Sequence, residues 1–288
     1  MRRDNLRGAG FMVLAMAAFS VEDMLYKSAS QIYPAGLSLT LFGLFGMALF
    51  AGLSLSRGEQ IWHPAILTRP LILRSLFELC GRLFFALSLA LTPLASTSSI
   101  LQATPLVVAL GAVFVFGETV GWRRWGAMIV GFAGVLLILR PTPASFEPYS
   151  VFAVLGMIGF AGRDLATRAS PPSMSMAQLG TLGFAVVTLA GAVLTFAKGD
   201  PIQAPTTEAL LRLTGTALFG VLAYGALTRA MRMGEIGFVA PFRYIRLVFA
   251  LILAVIVFDE RPDNLTLLGG AVIVASGLYS LRRQGKAG

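Results

Sequence analysis

The stretch FMVLAMAAFSVEDMLYKSA (11–29) recurs 141 positions later as FAVLGMIGFAGRDLATRAS (152–170). Phe11, Val13, Leu14, Met16, Phe19 and Asp23 return as Phe152, Val154, Leu155, Met157, Phe160 and Asp164. Lys27 faces Arg168, so each copy is an apolar helix ending in an aspartate followed four residues later by a base. Further on, Gly117-Glu118 matches Asp259-Glu260, and Gly126 and Gly134 match Gly269 and Gly277 at a spacing of 143. A chain written twice folds as two copies of one unit packed against each other.

What the unit is follows from its apolarity. Of the 288 residues, 56% are hydrophobic and 13% charged, with a mean hydropathy of +0.78; soluble domains carry about 25% charged residues. A helix crossing a bilayer needs about 20 mostly apolar residues. Runs bounded by Gly, Pro and charge clusters give ten such spans, at 8–27, 34–55, 71–91, 95–116, 122–140, 150–169, 176–196, 210–230, 236–258 and 266–282. The expected fold is therefore an all-α integral membrane protein. Residues 1–140 form the first five-helix repeat, 141–149 the linker and 150–288 the second repeat, with RPTPASFEP (140–148) at the junction. The N-terminus has the basic-then-apolar pattern of a signal peptide. Its counterpart from Phe152 lies mid-chain, so cleavage is not expected.

The bases test the count. With the N-terminus in the cytoplasm, fourteen of the 23 Lys and Arg fall on the cytoplasmic side, among them Arg74, and five on the opposite side. Four more, Arg82, Arg163, Arg243 and Arg246, lie within spans. Cytoplasmic loops carry the excess of Lys and Arg, so both termini are expected inside, and one span more or fewer would reverse every later loop. Five spans per half is odd, which inserts the halves upside down relative to each other.

Several functions are excluded. The net charge of +9 punctuates apolar segments and forms no basic patch, so nucleic acid is not an expected partner. Cys80 alone builds no disulfide framework, and His63, the lone histidine, builds no metal cluster. No phosphate loop, H-E-x-x-H or G-x-S-x-G motif is present. No enzyme, metal site or cofactor is expected.

Charges inside apolar spans carry the rest, because an ionised side chain facing lipid costs roughly 2.5–3.5 kcal/mol and so turns inward. In span 1, Asp23 and Lys27 are one helical turn apart and could pair; otherwise Glu22, Asp23 and Asp164 are acidic gates or ion sites flanking a cavity. Arg163 stands where the first repeat has Glu22. In span 3, Arg74, Glu78 and Arg82 form one stripe, with Arg74 read as a cytoplasmic flank. Glu78 and Arg82 either neutralise each other or leave Glu78 as a protonatable coupling group. Span 9 reads VAPFRYIRLVFALI (239–252), in which Pro241 kinks the helix. Arg243 and Arg246 point to one side there and require anions: Glu78 and Asp164, or a substrate's carboxylate or phosphate. Gln102, among Ser96, Thr97, Ser98, Ser99 and Thr104, either lines the cavity or belongs to a group bonded within its own helix. Glu118 and Glu260 read as folding features at helix ends.

At these residues the chain resembles the drug/metabolite transporter superfamily, in its ten-helix EamA-type branch. The resemblance rests on the duplicated unit and GETVGWRRWGAMIVGFAGVLLILRP (117–141). APFRY (240–244) and FDERPDNLTLLGGAVIVASGLY (258–279) narrow it to bacterial carriers for S-adenosylmethionine and riboflavin uptake. It implies a cavity between spans 1, 3, 4, 6, 8 and 9 that opens alternately to each side. The expectation is a carrier in the bacterial inner membrane, taking up a vitamin- or nucleoside-like solute; the alternatives are an exporter of amino acids or related metabolites and a non-transporting scaffold. Arg82, Gln102, Phe242, Arg243, Tyr244 and Arg246 are the expected substrate contacts, with aromatic stacking by Phe242 and Tyr244. Glu22, Asp23, Glu78 and Asp164 are the expected coupling or gating acids. The partners are a small-molecule substrate and the lipid bilayer; glycine-rich faces suit packing within the chain or in a homodimer.

Overall fold

The computed structural model describes residues 2–91, 94–142, 148–258 and 261–284. Among these there is helix and no strand. In chain order the helices are α1 (Arg2–Ser30), α2 (Ala35–Ser56), α3 (Arg69–Leu91), α4 (Leu94–Leu101), α5 (Thr104–Phe116) and α6 (Trp122–Leu139) in the first half. The second half has α7 (Val151–Arg168), α8 (Met176–Lys198), α9 (Thr207–Met233), α10 (Ile236–Val239), α11 (Ile245–Phe258) and α12 (Asn264–Gln284). Nine spans among the described residues are long and apolar enough to cross a membrane. The tenth is α3, whose 23 residues include Arg69, Arg74, Glu78 and Arg82.

Ten spans arise from twelve helices because the fourth span of each half is broken. The sequence reads 95–116 as continuous, but α4 stops at Leu101 and Ala103 N–H bonds back to the Ile100 carbonyl in a tighter turn. Pro105 then opens α5 in its first turn, where a missing N–H costs nothing. In the second half α10 gives way to a 3₁₀ turn over Ala240–Tyr244 containing Pro241, and α11 follows. Interrupted helices near the middle of a carrier free backbone and side chains to face a site.

The main helix pairs each join one half to the other: α2 with α8, α6 with α12, α1 with α9 and α3 with α7. Exchanging the halves turns the first two pairs into themselves and swaps the last two, as an inverted repeat requires. Lipid gives helices no hydrophobic reason to associate, so close packing of small residues does the work. A Cβ on Gly159 of α7 would lie 2.5 Å from the Gly81 Cα of α3, and one on Gly134 of α6 would lie 2.8 Å from the Gly269 carbonyl oxygen of α12. Between α2 and α8, a Cβ on Gly43 would meet the Thr188 nitrogen at 2.6 Å. The α2–α8 pair supports α3 and α9, while the α6–α12 pair supports the break in span 9. The fully buried charges gather between these flanks.

Candidate functional site

Glu78 is the hub. The helical period puts Arg74, Glu78 and Arg82 on one face of α3, and Glu78 is completely buried there. The Tyr224 hydroxyl on α9 donates to Glu78 Oε2 at 2.9 Å. Arg74 Nη2 lies 3.8 Å from that oxygen, while Arg82 Nη2 and Arg163 Nη1 lie 3.7 and 3.5 Å from Oε1. Arg74 is not the cytoplasmic flank expected from the sequence. It sits more than a turn inside α3, buried, and donates to Thr167 Oγ1 at 3.0 Å, to the Leu179 carbonyl at 3.3 Å and to the Tyr224 hydroxyl. An unpaired charge here would be severely destabilising, and three arginines surrounding one carboxylate avoid that for the acid.

The break in span 9 supplies the second layer. Arg243, in the 3₁₀ turn, donates to Asp164 Oδ2. Asp164 Oδ1 accepts from Arg163, its neighbour in α7, at 3.0 Å from Nε and 2.9 Å from Nη2. One helical turn on, Arg246 at the start of α11 donates through Nε to Asp23 Oδ2 at 2.9 Å, with its guanidinium 5.0 Å from the Phe19 ring centroid. The two repeat-related aspartates therefore bind two arginines three residues apart on one interrupted span. The helix-end pairs suggested by the i, i+4 spacing do not form. Asp23 turns to Arg246 rather than Lys27, and Arg168 caps backbone carbonyls instead.

Of the residues expected to form the site, Glu22, Asp23, Glu78, Arg82, Asp164, Arg243 and Arg246 share this cluster. The Oε2 of Glu22 is buried without a partner, as is the Nε of Arg82. Gln102 sits in the turn between α4 and α5, half-buried. Thr97, buried in α4, is 2.8 Å from the Ser88 hydroxyl of α3, and Ser96 lies outside the described side chains. Phe242 and Tyr244 point elsewhere. Phe242 packs on Phe238, ring centroids 5.7 Å apart, and Tyr244 packs with Phe132, Val135 and Ile273 from α6 and α12. With three residues per turn at the break, Arg243 and Arg246 fall on one side, and Phe242 and Tyr244, before and between them, fall on others. Sequence reasoning passed over Tyr224 and gave Arg163 no binding role. An arginine inside an apolar span was the available signal for Arg163; Tyr224 is legible only with Gly183 opposite it, where a Cβ would collide with the hydroxyl.

One end of the bundle is tied shut. Arg168 donates to the carbonyls of Met231 and Gly234 at 3.2 and 2.8 Å. The Glu118 carboxylate accepts from the Ile236 and Gly237 N–H groups at 3.3 Å each. Asn5 Oδ1 accepts from Glu235 N–H at 2.8 Å, and Arg124 bridges to the Glu235 carboxylate. Glu118 thus fixes the start of α10; its repeat counterpart Glu260 lies outside the described residues. In the loop joining α2 and α3 at this end, His63 is a local cap, accepting from Ala65 N–H at 3.1 Å. Toward the other end a cleft of about 330 Å³ lies between α1 and α11, reaching down to Ser20 and Asp23.

Comparison with known proteins matches this architecture. Along 96% of its length the chain shares its fold with a crystal structure at TM-score 0.81 and 19% identity, covering 97% of that chain. It is 27% identical over 286 residues to the S-adenosylmethionine uptake transporter of Rickettsia conorii, covering 98% of this chain and 95% of the relative. The pseudopaline exporter CntI of Pseudomonas aeruginosa is 30% identical over 278 residues, 93% of this chain and 94% of its own. The riboflavin transporter of Rhizobium johnstonii is 26% identical over 285 residues, 96% and 91% respectively. The profile of the EamA-like transporter family matches twice, at residues 6–140 and 148–282. The duplicated five-span unit and the polar cluster between its copies thus belong to a multi-pass membrane transporter of small molecules, a member of the EamA-like transporter family.

Proposed function

We propose that the protein is an inner-membrane carrier that takes up a vitamin- or nucleoside-like metabolite, of the riboflavin or S-adenosylmethionine type, by alternating access. The observation that carries this reading is a set of polar atoms left over in the cluster, the donors Arg82 Nε and Arg74 Nη1 and the acceptor Glu22 Oε2. Arg82 Nε and Glu22 Oε2 are buried without partners, and a buried unmatched polar atom is costly unless a ligand meets it. A solute that accepts from Arg82 and donates to Glu22 satisfies both. Arg243 and Arg246 keep part of their side chains exposed beside it, 14% and 37%, and can bind its carboxylate or phosphate. Glu22, Asp23, Glu78 and Asp164 are the acids through which an ion gradient would couple. The excess of bases on alternate loops supports cytoplasmic termini.

Export is the second reading, favoured by the likeness to a pseudopaline exporter at 30% identity over 93% of this chain. The test is transport by proteoliposomes of labelled riboflavin, S-adenosylmethionine and amino acids, in both orientations, with and without a proton gradient. Wild-type protein is compared with Arg246→Ala and, once size-exclusion chromatography establishes folding, Arg243→Ala. Accumulation of one solute by the wild type and its loss in both variants is expected. No movement of any solute in either direction would overturn the uptake and export readings together, and equal transport by a folded Arg243→Ala protein would remove the arginines from the site.

A further inference from the structure

The last turns of α1 and the residue just past its end carry a polar stripe of which the central cluster uses Asp23 alone. Ser20, Asp23, Lys27 and Gln31 follow one another at helical spacing and form one wall of the 330 Å³ cleft. The facing wall, Ala250, Leu253 and Ala254 of α11, is apolar. Ser20, Ser28, Ala250 and Ala254 are small and leave the space between the two helices unfilled, and the volume falls in the range of small-molecule sites, roughly 300–1,000 Å³.

The charges in the cleft do not cancel. Asp23 is the acid that the sequence offers to Lys27, but it pairs with Arg246, whose two nitrogens both donate to Asp23 Oδ2. Ser20 donates to the backbone carbonyls of Met16 and Arg246, and Ser28 to that of Leu25. Among the described residues Lys27 has no acidic partner and Gln31 no hydrogen-bond partner, and both are exposed. A paired floor therefore lies beneath one unneutralised cation and one free amide. Below them Arg246 and then Arg243 continue a line of cations toward the cluster.

We propose that the cleft between α1 and α11 is a second binding subsite, in which Lys27 and Gln31 hold an anionic group, a carboxylate or phosphate, before it passes to Arg246 and Arg243. The passage rests on the carrier reading; the anion site itself stands on the cleft. A lone cation against an apolar wall concentrates anions within reach and favours one with an apolar body attached.

The experiment puts a reporter on the apolar wall. Ala254→Cys in a Cys80→Ser background is reconstituted in nanodiscs of phosphatidylcholine. Its modification rates by sulfonatoethyl and trimethylammonioethyl methanethiosulfonate are compared. Lys27→Gln is expected to lower the anionic-to-cationic rate ratio about tenfold, and Lys27→Arg to preserve it. An unreactive reporter thiol, or a ratio that Lys27→Gln leaves unchanged, overturns the subsite. Inorganic phosphate and S-adenosylmethionine are then added as protecting ligands, and phosphatidylglycerol replaces part of the lipid in parallel. Protection by the soluble anions supports the proposal; protection by phosphatidylglycerol alone makes this a lipid headgroup site and overturns it. If the solute panel moves nothing while the rate ratio still depends on Lys27, the carrier reading fails and the anion site stands.

Discussion

Asp23 and Asp164 occupy the same position in the two repeats, and each binds an arginine of the interrupted ninth span. Their surroundings are opposite. Asp164 is 2% exposed, wedged between Arg163 and Arg243, whereas Asp23 is 53% exposed on the floor of a cleft. Arg163 makes the difference. It stands where the first repeat has Glu22, adds a second cation to Asp164 and ties it to Glu78. Duplication supplied two identical anions, and one difference beside them accompanies the sealing of one and the exposure of the other. A buried pair is costly to split, while an exposed pair is cheap to rearrange. The accessible pair, which joins α1 of the first half to α11 of the second, is therefore the one a solute can open, and the buried pair ties α7 to the break in span 9 within the second half.

The largest effect expected from breaking this contrast is at Asp164. Asp164→Ala leaves Arg163 and Arg243 buried around a void and should destabilise by about 3–5 kcal/mol, read as loss of the folded peak in size-exclusion chromatography or a large fall in thermal midpoint. Tyr224→Phe sharpens the comparison from the Glu78 side. It removes one donor to a buried carboxylate and an acceptor for Arg74, and should cost about 1–3 kcal/mol in the same thermal assay. Asp23→Asn should shift stability by about 0–1 kcal/mol, while transport of the identified solute falls; a collapse comparable to that of Asp164→Ala would end the distinction between the pairs.

The smallest effect is outside the spans. Hydrogen bonds from Arg140 and Thr266 hold the Asp263 carboxyl well below the usual carboxylate range. A depressed pKa contributes stability above the ordinary carboxylate range, and that stability is lost as pH falls through the folded value. Asp263→Asn keeps a side-chain oxygen to cap α12 at Thr266 N–H but loses the charge. Its thermal midpoint should lie slightly below wild type at pH 7, and the gap should close on acidification.

How much could be read in advance varied by residue. The repeat, the ten spans and the inward turn of Glu78, Arg82, Arg243 and Arg246 were legible, because bilayer thickness and the cost of charge in hydrocarbon act on sequence directly. The pairing of those charges was not. Helical spacing proposed Asp23 with Lys27 and Asp164 with Arg168, yet both acids crossed to span 9 and Arg168 capped Gly234. Arg74 looked like a flank because hydropathy places a residue along a helix and says nothing of what lies beside it. Phe242 and Tyr244 looked like stacking groups because a proline in the sequence announces a break without giving its rotation.

By itself, then, the sequence determined a two-fold, all-helical membrane protein with buried charge near its middle, since length, apolarity and repetition are properties of one dimension. Only the tertiary structure decided which acid meets which base, which of the two aspartates is sealed, and that Lys27, in an open cleft, meets no acid among the described residues. Those outcomes depend on distances between segments as much as 223 residues apart, and a guanidinium across the bundle that reaches a carboxylate through two nitrogens outcompetes a single ammonium one turn away.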